Sequence, residues 1–208
     1  MPLVPTLGEK KPSESESTLR TFRVDSRIID LLEIEAKKQG TTINGLACNV
    51  LEKYVTIRAK LDHFGLICLT KDEMVAIVNR MDDPFIIEIA SKIGGTTAKE
   101  IVLRLYGKAT PQSFRTYVDE VLCGYQCWAS YSGETIDGKI EIRLGHTMGL
   151  KWALFLSNYL DSALDSITGK RANFSCVSNY NIIFTIDLTD TKPTAGSLLA
   201  AFSTMGQK

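Results

Sequence analysis

The chain has 208 residues, 44% of them apolar and 23% charged, and its 24 basic side chains balance 24 acidic ones. That length holds one large domain or two small ones, and the composition is that of an ordinary globular protein. Zero net charge means that the protein as a whole advertises neither a nucleic-acid partner nor an acidic one, and no apolar run reaches the roughly 18 residues that a membrane helix needs.

No basic head followed by an apolar core opens the chain, so no secretory signal is read. The five cysteines, Cys48, Cys68, Cys123, Cys127 and Cys176, are odd in number and scattered. Together these features predict a reducing, cytoplasmic setting without a membrane anchor. Cys48, Cys68 and Cys176 lie in apolar-periodic segments and are expected to be buried as small hydrophobes. The C-x-x-x-C spacing of Cys123 and Cys127 is not that of redox or zinc sites, and only His63 and His146 are available as imidazole ligands. No metal and no cofactor is expected.

In chain order, residues 1–18 combine prolines, serines and glutamates without periodicity and predict a disordered arm. In "LRTFRVDS", alternation puts Phe22 and Val24 on one face of a short strand and Thr21 and Arg23 on the other. Asp25 and Ser26 supply an N-cap for a helix whose apolar stripe is Ile28, Ile29, Leu31, Leu32 and Ala36, ended by Gly40. Thr41 or Thr42 caps a second helix with Ile43, Leu46, Ala47, Val50, Leu51 and Tyr54 on one face. Residues 19–60 carry eight basic against five acidic side chains. A unit of this size cannot bury the apolar surface that one strand and two helices expose. A second copy solves the problem: two strands pair antiparallel across a two-fold axis, with four helices interlocked beneath.

"TFRVDSRIIDLLEIEAKKQGTTINGLACNVLEKYV" resembles the ribbon-helix-helix DNA-binding family. The resemblance rests on the strand ending in Val24, the helix after Asp25-Ser26, the Gly40-Thr41-Thr42 break and a second helix ending near Tyr54-Val55, under a quarter of the chain. It implies that Thr21 and Arg23, with Arg20 at the margin, touch bases in the major groove of double-stranded DNA. It also implies that Thr41, Thr42 and Asn44, at the start of the second helix, hold the phosphate backbone.

From Phe64 the texture changes, and residues 62–190 are expected to form an α+β effector or oligomerisation domain. "FGLICLT" predicts a buried strand, and Thr70 with Glu73 forms a capping box for a helix over "KDEMVAIVNRM". "DDPFIIEIASKIGG" predicts a helix opened by proline and ended by glycines. "TTAKEIVLRLYG" and "TPQSFRTYVDEVLCGY" predict two more. "GKIEIRLGH" alternates like a strand, "MGLKWALFLSNYLDSALDSITG" reads as a central helix, and "NFSCVSNYNIIFTIDL" supplies one or two strands. Residues 191–208 read as a loose tail.

The tract "RLGHTMGLKW" places His146, Gly149, Lys151 and Trp152 at a strand-to-helix junction. One reading makes it a turn open to a ligand, with His146 and Lys151 as polar anchors; the other makes Gly149 a close-packing point, Trp152 core and Lys151 solvated. Trp128, with Tyr125 and Tyr131, lines a pocket or forms a small core under a loop. No nucleophile triad, phosphate loop, dinucleotide fingerprint or paired carboxylates stand out, so an enzyme is not expected. The expected function is a homodimeric DNA-binding transcriptional regulator, most simply a repressor, whose second domain senses an unidentified small molecule or fixes assembly, dimers pairing into tetramers being left open. The rival is an antitoxin-like or partition-type adaptor that uses the first module mainly to dimerise.

Overall fold

A computed structural model describes residues 18–187. Apart from Thr18, the arm and tail expected at the two ends lie outside them. The chain divides into two compact units, Met1–Leu51 and Glu52–Lys208.

In the first unit, residues 18–25 are neither helical nor laddered to another strand among the described residues. Helix α1 runs Ser26–Lys38, with the Asp25 carboxylate accepting from the Arg27 amide at 2.8 Å. The chain leaves α1 through Gly40 at φ +65°, a conformation that glycine adopts without the usual Cβ penalty. Helix α2 spans Ile43–Lys53. The Thr42 hydroxyl accepts from the Gly45 amide at 3.0 Å, so Thr42 is the capping threonine. The helical path does not stop near Val55: it widens to a π-helical stretch at Tyr54–Arg58, then closes as α3, Ala59–Leu61, and a 3₁₀ turn at Asp62–Phe64. Ile57 and Leu61 belong to the second unit's core.

The second unit is an α+β fold. Helix α4 (Lys71–Val78) opens on the predicted capping box, with the Thr70 amide donating to Glu73 at 2.7 Å and the Glu73 amide to Thr70 Oγ1 at 3.3 Å. That contact holds the Glu73 carboxyl below its usual range. Helix α5 is one uninterrupted element, Asp83–Tyr106, capped by Asp82 with Pro84 in its first turn. The expected break at Gly94-Gly95 does not occur. A Cβ on Gly94 would lie 2.3 Å from the Tyr159 carbonyl oxygen, so this glycine serves close approach of α5 to helix α7 (Leu150–Thr168). Close packing of the two helices overrides glycine's poor helix propensity. Helix α6 covers Pro111–Thr116 and continues as π-helical turns through Tyr125.

Strands β1 (Ser130–Ile136), β2 (Lys139–Gly145), β3 (Asn173–Val177) and β4 (Asn181–Asp187) form one antiparallel sheet in the order β1-β2-β4-β3. Period-two patterning aims Ile140, Ile142 and Leu144 of β2 inward beside Ile186, Phe184 and Ile182 of β4, and all six are buried. Strand β1 was not anticipated. Its hairpin turns at Asp137-Gly138, both with positive φ, the residue pair that two-residue hairpins favour. Arg115 braces this edge strand, donating to the Tyr131 hydroxyl at 3.0 Å and the Gly133 carbonyl at 3.0 Å.

Two expectations need correction. Residues 65–70 form no strand, and Ile67 is 82% exposed: no neighbouring edge among the described residues pairs with the apolar run to satisfy its backbone. Cys48 and Cys68 are exposed and Cys176 is half-buried, so none of the three is a core thiol. Among the described residues, no helix is long and apolar enough to cross a membrane.

Candidate functional site

In the first unit, the predicted base-reading and phosphate-holding residues Arg20, Thr21, Arg23, Thr41, Thr42 and Asn44 are all exposed. So are the apolar residues that alternate with the first group: Phe22 is 72% and Val24 48% exposed. Ile28, Leu31, Ile34, Val50 and Leu51 on α1 and α2 are also bare, while Ala36 and Leu46 are the buried apolar residues of this unit among those described. Polar Thr21 and Arg23 alternate with apolar Phe22 and Val24 along the segment, and all four are exposed. At the start of α2, the first amides have no intrahelical acceptor and the dipole is positive, a combination that suits an anion. One of these donors, the Gly45 amide, is already taken by Thr42. A side chain on Gly45 would press on the Thr41 and Thr42 hydroxyls, at 2.8 and 3.3 Å.

In the second unit, the tract from Arg143 to Trp152 is a joint between β2 and α7. The His146 amide donates to the Tyr180 carbonyl at 2.8 Å, which pins the chain as it leaves the sheet. Gly149 sits at the N-cap of α7 with φ +83°, and a Cβ there would meet nothing within 4 Å. Backbone conformation, not close packing, is therefore what requires glycine at this position. Lys151 is half-buried, and its ammonium donates to the carbonyls of Asn79, at 3.3 Å, and Met81, closing the C-terminal end of α4. Trp152 is core, stacked on Phe155 at 5.2 Å and edge-on to Trp128 at 5.5 Å. Trp128 also packs edge-on to Tyr159, so the aromatic group fills a core. Of the five residues singled out here, the contacts bring Trp128 and Trp152 together.

His146 is only 7% exposed, and neither ring nitrogen has a hydrogen-bond partner among the described residues. Burial pushes its pKa down, and the backbone of Ser178, near the ring but outside hydrogen-bond geometry, offsets this in part. Trp152 Nε1 and Gln126 Oε1 are likewise buried without partners. Elsewhere in the core, the Tyr117 and Tyr159 hydroxyls bond each other, and burial raises both, Tyr159 to about 12. Burial also pushes the Cys123 thiol up to about 12, which makes it a poor nucleophile.

A polar cleft of about 480 Å³ opens between α5 and α7, at residues that sequence reading missed. Ser91 and Gly95 contribute from α5; Asn158, Asp161, Ser162 and Asp165 contribute from α7. The signal was present: Asn158, Asp161, Ser162 and Asp165 recur at spacings of three and four on a helix otherwise apolar around most of its girth, and so mark a polar stripe. Asp161 is 5% exposed and accepts from Arg171 Nη1 at 2.6 Å and from the Ala172 amide at 3.1 Å. Burial raises its pKa, while the amide and the guanidinium pull it back. The sequence matches no protein-family model and no curated protein.

Proposed function

We propose that the protein is a homodimeric, sequence-specific DNA-binding regulator of ribbon-helix-helix type, most simply a repressor. The observation that carries this reading is the division of residues 18–25. Phe22 and Val24 are bare on one set of alternate positions, Thr21 and Arg23 are exposed on the other, and no strand among the described residues pairs with them. Two such segments related by a two-fold axis satisfy each other's backbone groups. They also bury Phe22 and Val24 over the bare face of α1 and α2. Thr21 and Arg23 then lie on the outside of a two-stranded ribbon, the width of which suits the major groove. Arginine reads guanine edges there, and the first turn of α2, with Thr41, Thr42 and Asn44, meets a phosphate.

The test is selection of bound sequences from a random duplex pool, followed by affinity measurements at two salt concentrations. The expected result is a palindromic motif and a steep salt dependence. Arg23→Ala is expected to weaken binding to that motif by about 1–3 kcal/mol and to relax preference at one base pair in each half-site. A pool that yields no motif, or an Arg23→Ala protein with unchanged affinity and site preference, overturns the reading. Recovery of a stoichiometric protein partner in place of a motif moves it to the adaptor class.

A further inference from the structure

We propose that residues 66–70 pair antiparallel with the same residues of a second copy of the chain, as a short ribbon between two second units. The stretch is bounded by Gly65 at φ +63° and by Thr70, whose backbone is extended at φ −70° and ψ 159°. Between them the chain is neither helical nor laddered, and among the described residues the main chain of residues 66–69 makes no hydrogen bond. Leu66 packs against the core of the second unit, whereas Ile67 is 82% and Leu69 41% exposed. On a strand, Ile67 and Leu69 share one face, and Leu66, Cys68 and Thr70 share the other.

Proteins shield a bare strand edge with charge, proline or a bulge. Both edges of the four-stranded sheet are shielded in this way. On β1, the Arg115 guanidinium occupies the Gly133 carbonyl, at 3.0 Å, and the Thr135 hydroxyl, at 3.2 Å. On β3, the register shifts between Phe174 and Cys176. Residues 64–70, "FGLICLT", carry neither charge nor proline. That neutrality also lets two copies lie together without opposing like charges. Self-pairing has one full register: matching all five residues about a two-fold axis sets Cys68 opposite Cys68 of the partner subunit. Ile67 then faces Leu69 of the partner subunit, and four bare apolar side chains share one face, where cross-strand pairs stabilise a ribbon.

The size of the contact selects the occupant. A five-residue strand buries far less than the roughly 1,000 Å² that a specific complex with a free protein needs. An isolated two-stranded ribbon is also marginal in water. Such a ribbon closes only on a chain that another contact already holds nearby. The inference therefore rests on the dimer proposed for the first unit. A copy held through residues 18–51 presents its own strand at millimolar effective concentration, where a small contact is enough to close.

The experiment uses the full chain without DNA, carrying Cys48→Ser and Cys127→Ser, so that Cys68 is the one exposed thiol among the described residues. Sedimentation equilibrium reads association. Diamide, which accepts the two thiol hydrogens, then traps opposed Cys68 side chains as a disulfide, read by non-reducing electrophoresis. The expected result is a dimer that becomes covalent on oxidation, and no covalent dimer once Cys68→Ser is added. Because Ile67 and Leu69 are exposed, substitutions there leave the chain folded. Ile67→Lys with Leu69→Lys is expected to lower the trapped yield at least five-fold. Ile67→Lys with Leu69→Glu, which sets an ammonium opposite a carboxylate in this register, is expected to restore it. A dimer that oxidation leaves non-covalent overturns the ribbon while the dimer of residues 18–51 stands; a monomer overturns both. Trapping that neither charge variant changes, or a lysine–glutamate variant trapped no better than the double-lysine one, also overturns the proposal.

Discussion

Residues 18–51 and residues 52–187 contain the same kinds of apolar side chain and use them in opposite ways. In the first region only Ala36 and Leu46 are buried among the described residues, whereas in the second more than thirty apolar residues are. Patterning does not separate the two, since α1 is as clearly amphipathic as α7. What separates them is whether the described residues of the unit supply the covering surface. Helix α7 is flanked by α5 and the sheet; among the described residues, the apolar stripe of α1 and α2 has no further helix or strand of its own unit to meet. A well-formed amphipathic pattern therefore predicts a core only where enough chain exists to close it. Where it does not, the same pattern predicts an association.

The largest expected effect tests this contrast with one type of substitution. Phe184, at the centre of β4 and fully buried, tilts against Phe174 at 5.3 Å. Phe184→Ala is expected to cost about 3–5 kcal/mol in denaturant unfolding, at any protein concentration. Phe22→Ala removes the same side chain from a site that is 72% exposed in the single chain. If residues 18–51 act alone, the change stays within about 0.5 kcal/mol. If a second copy covers Phe22, sedimentation equilibrium shows weaker dimerisation, and the stability loss grows as the protein is diluted. Equal and concentration-independent losses for the two variants break the comparison.

A smaller effect separates two adjacent glycines of α5. Gly94→Ala drives a Cβ into the Tyr159 backbone, which has no side-chain freedom with which to retreat, and is expected to destabilise by about 1–3 kcal/mol. Gly95→Ala meets nothing and is expected to stabilise by about 0.5–1 kcal/mol through helix propensity alone. Thermal melting of the pair reads both signs. Loss of stability in both variants means that the second glycine also serves packing.

Much of the fold was legible in the sequence because its signals are local. The Thr70–Glu73 capping box, the Asp25 cap, the Gly40 break, the β2 alternation and the span of α7 all fall where patterning puts them. Failures occurred where a distant contact decides. Gly94-Gly95 reads as a helix end, and only the close approach of Tyr159 explains why α5 runs through it. "GLICL" reads as a strand, and it is not one because no edge among the described residues pairs with it. Strand β1 is a different kind of miss, since the Asp137-Gly138 turn is a local hairpin signal that the sequence reading left unused. The cleft was missed because reading concentrated on the histidine, lysine and tryptophan of residues 143–152, residue types that suggest chemistry. In the folded chain Lys151 closes the end of α4 and Trp152 fills the core, while serines and aspartates on the far turns of the same helix line open space.

The smallest effect concerns His146 and asks whether a buried titratable group in the well-covered region is felt globally. Its imidazole lies below its ordinary pKa in the folded chain because burial disfavours the cation. The unfolded chain therefore takes up the proton first as pH falls through about 6.5, the ordinary histidine value. The stability tied to the neutral ring is fully present above that pH and is lost as the pH falls toward the folded value. Asp161 works in the opposite sense: burial raises its pKa, so the penalty on its ionised form is relieved as pH falls, in the lower window where carboxylates titrate. Melting between pH 7.5 and 5.5 isolates the histidine, and the expected result is a steeper fall for the natural protein than for His146→Gln. Parallel curves mean that the ring is hydrated or paired in solution despite its burial. The tract around it is then looser than the core contacts of its neighbour Trp152 require.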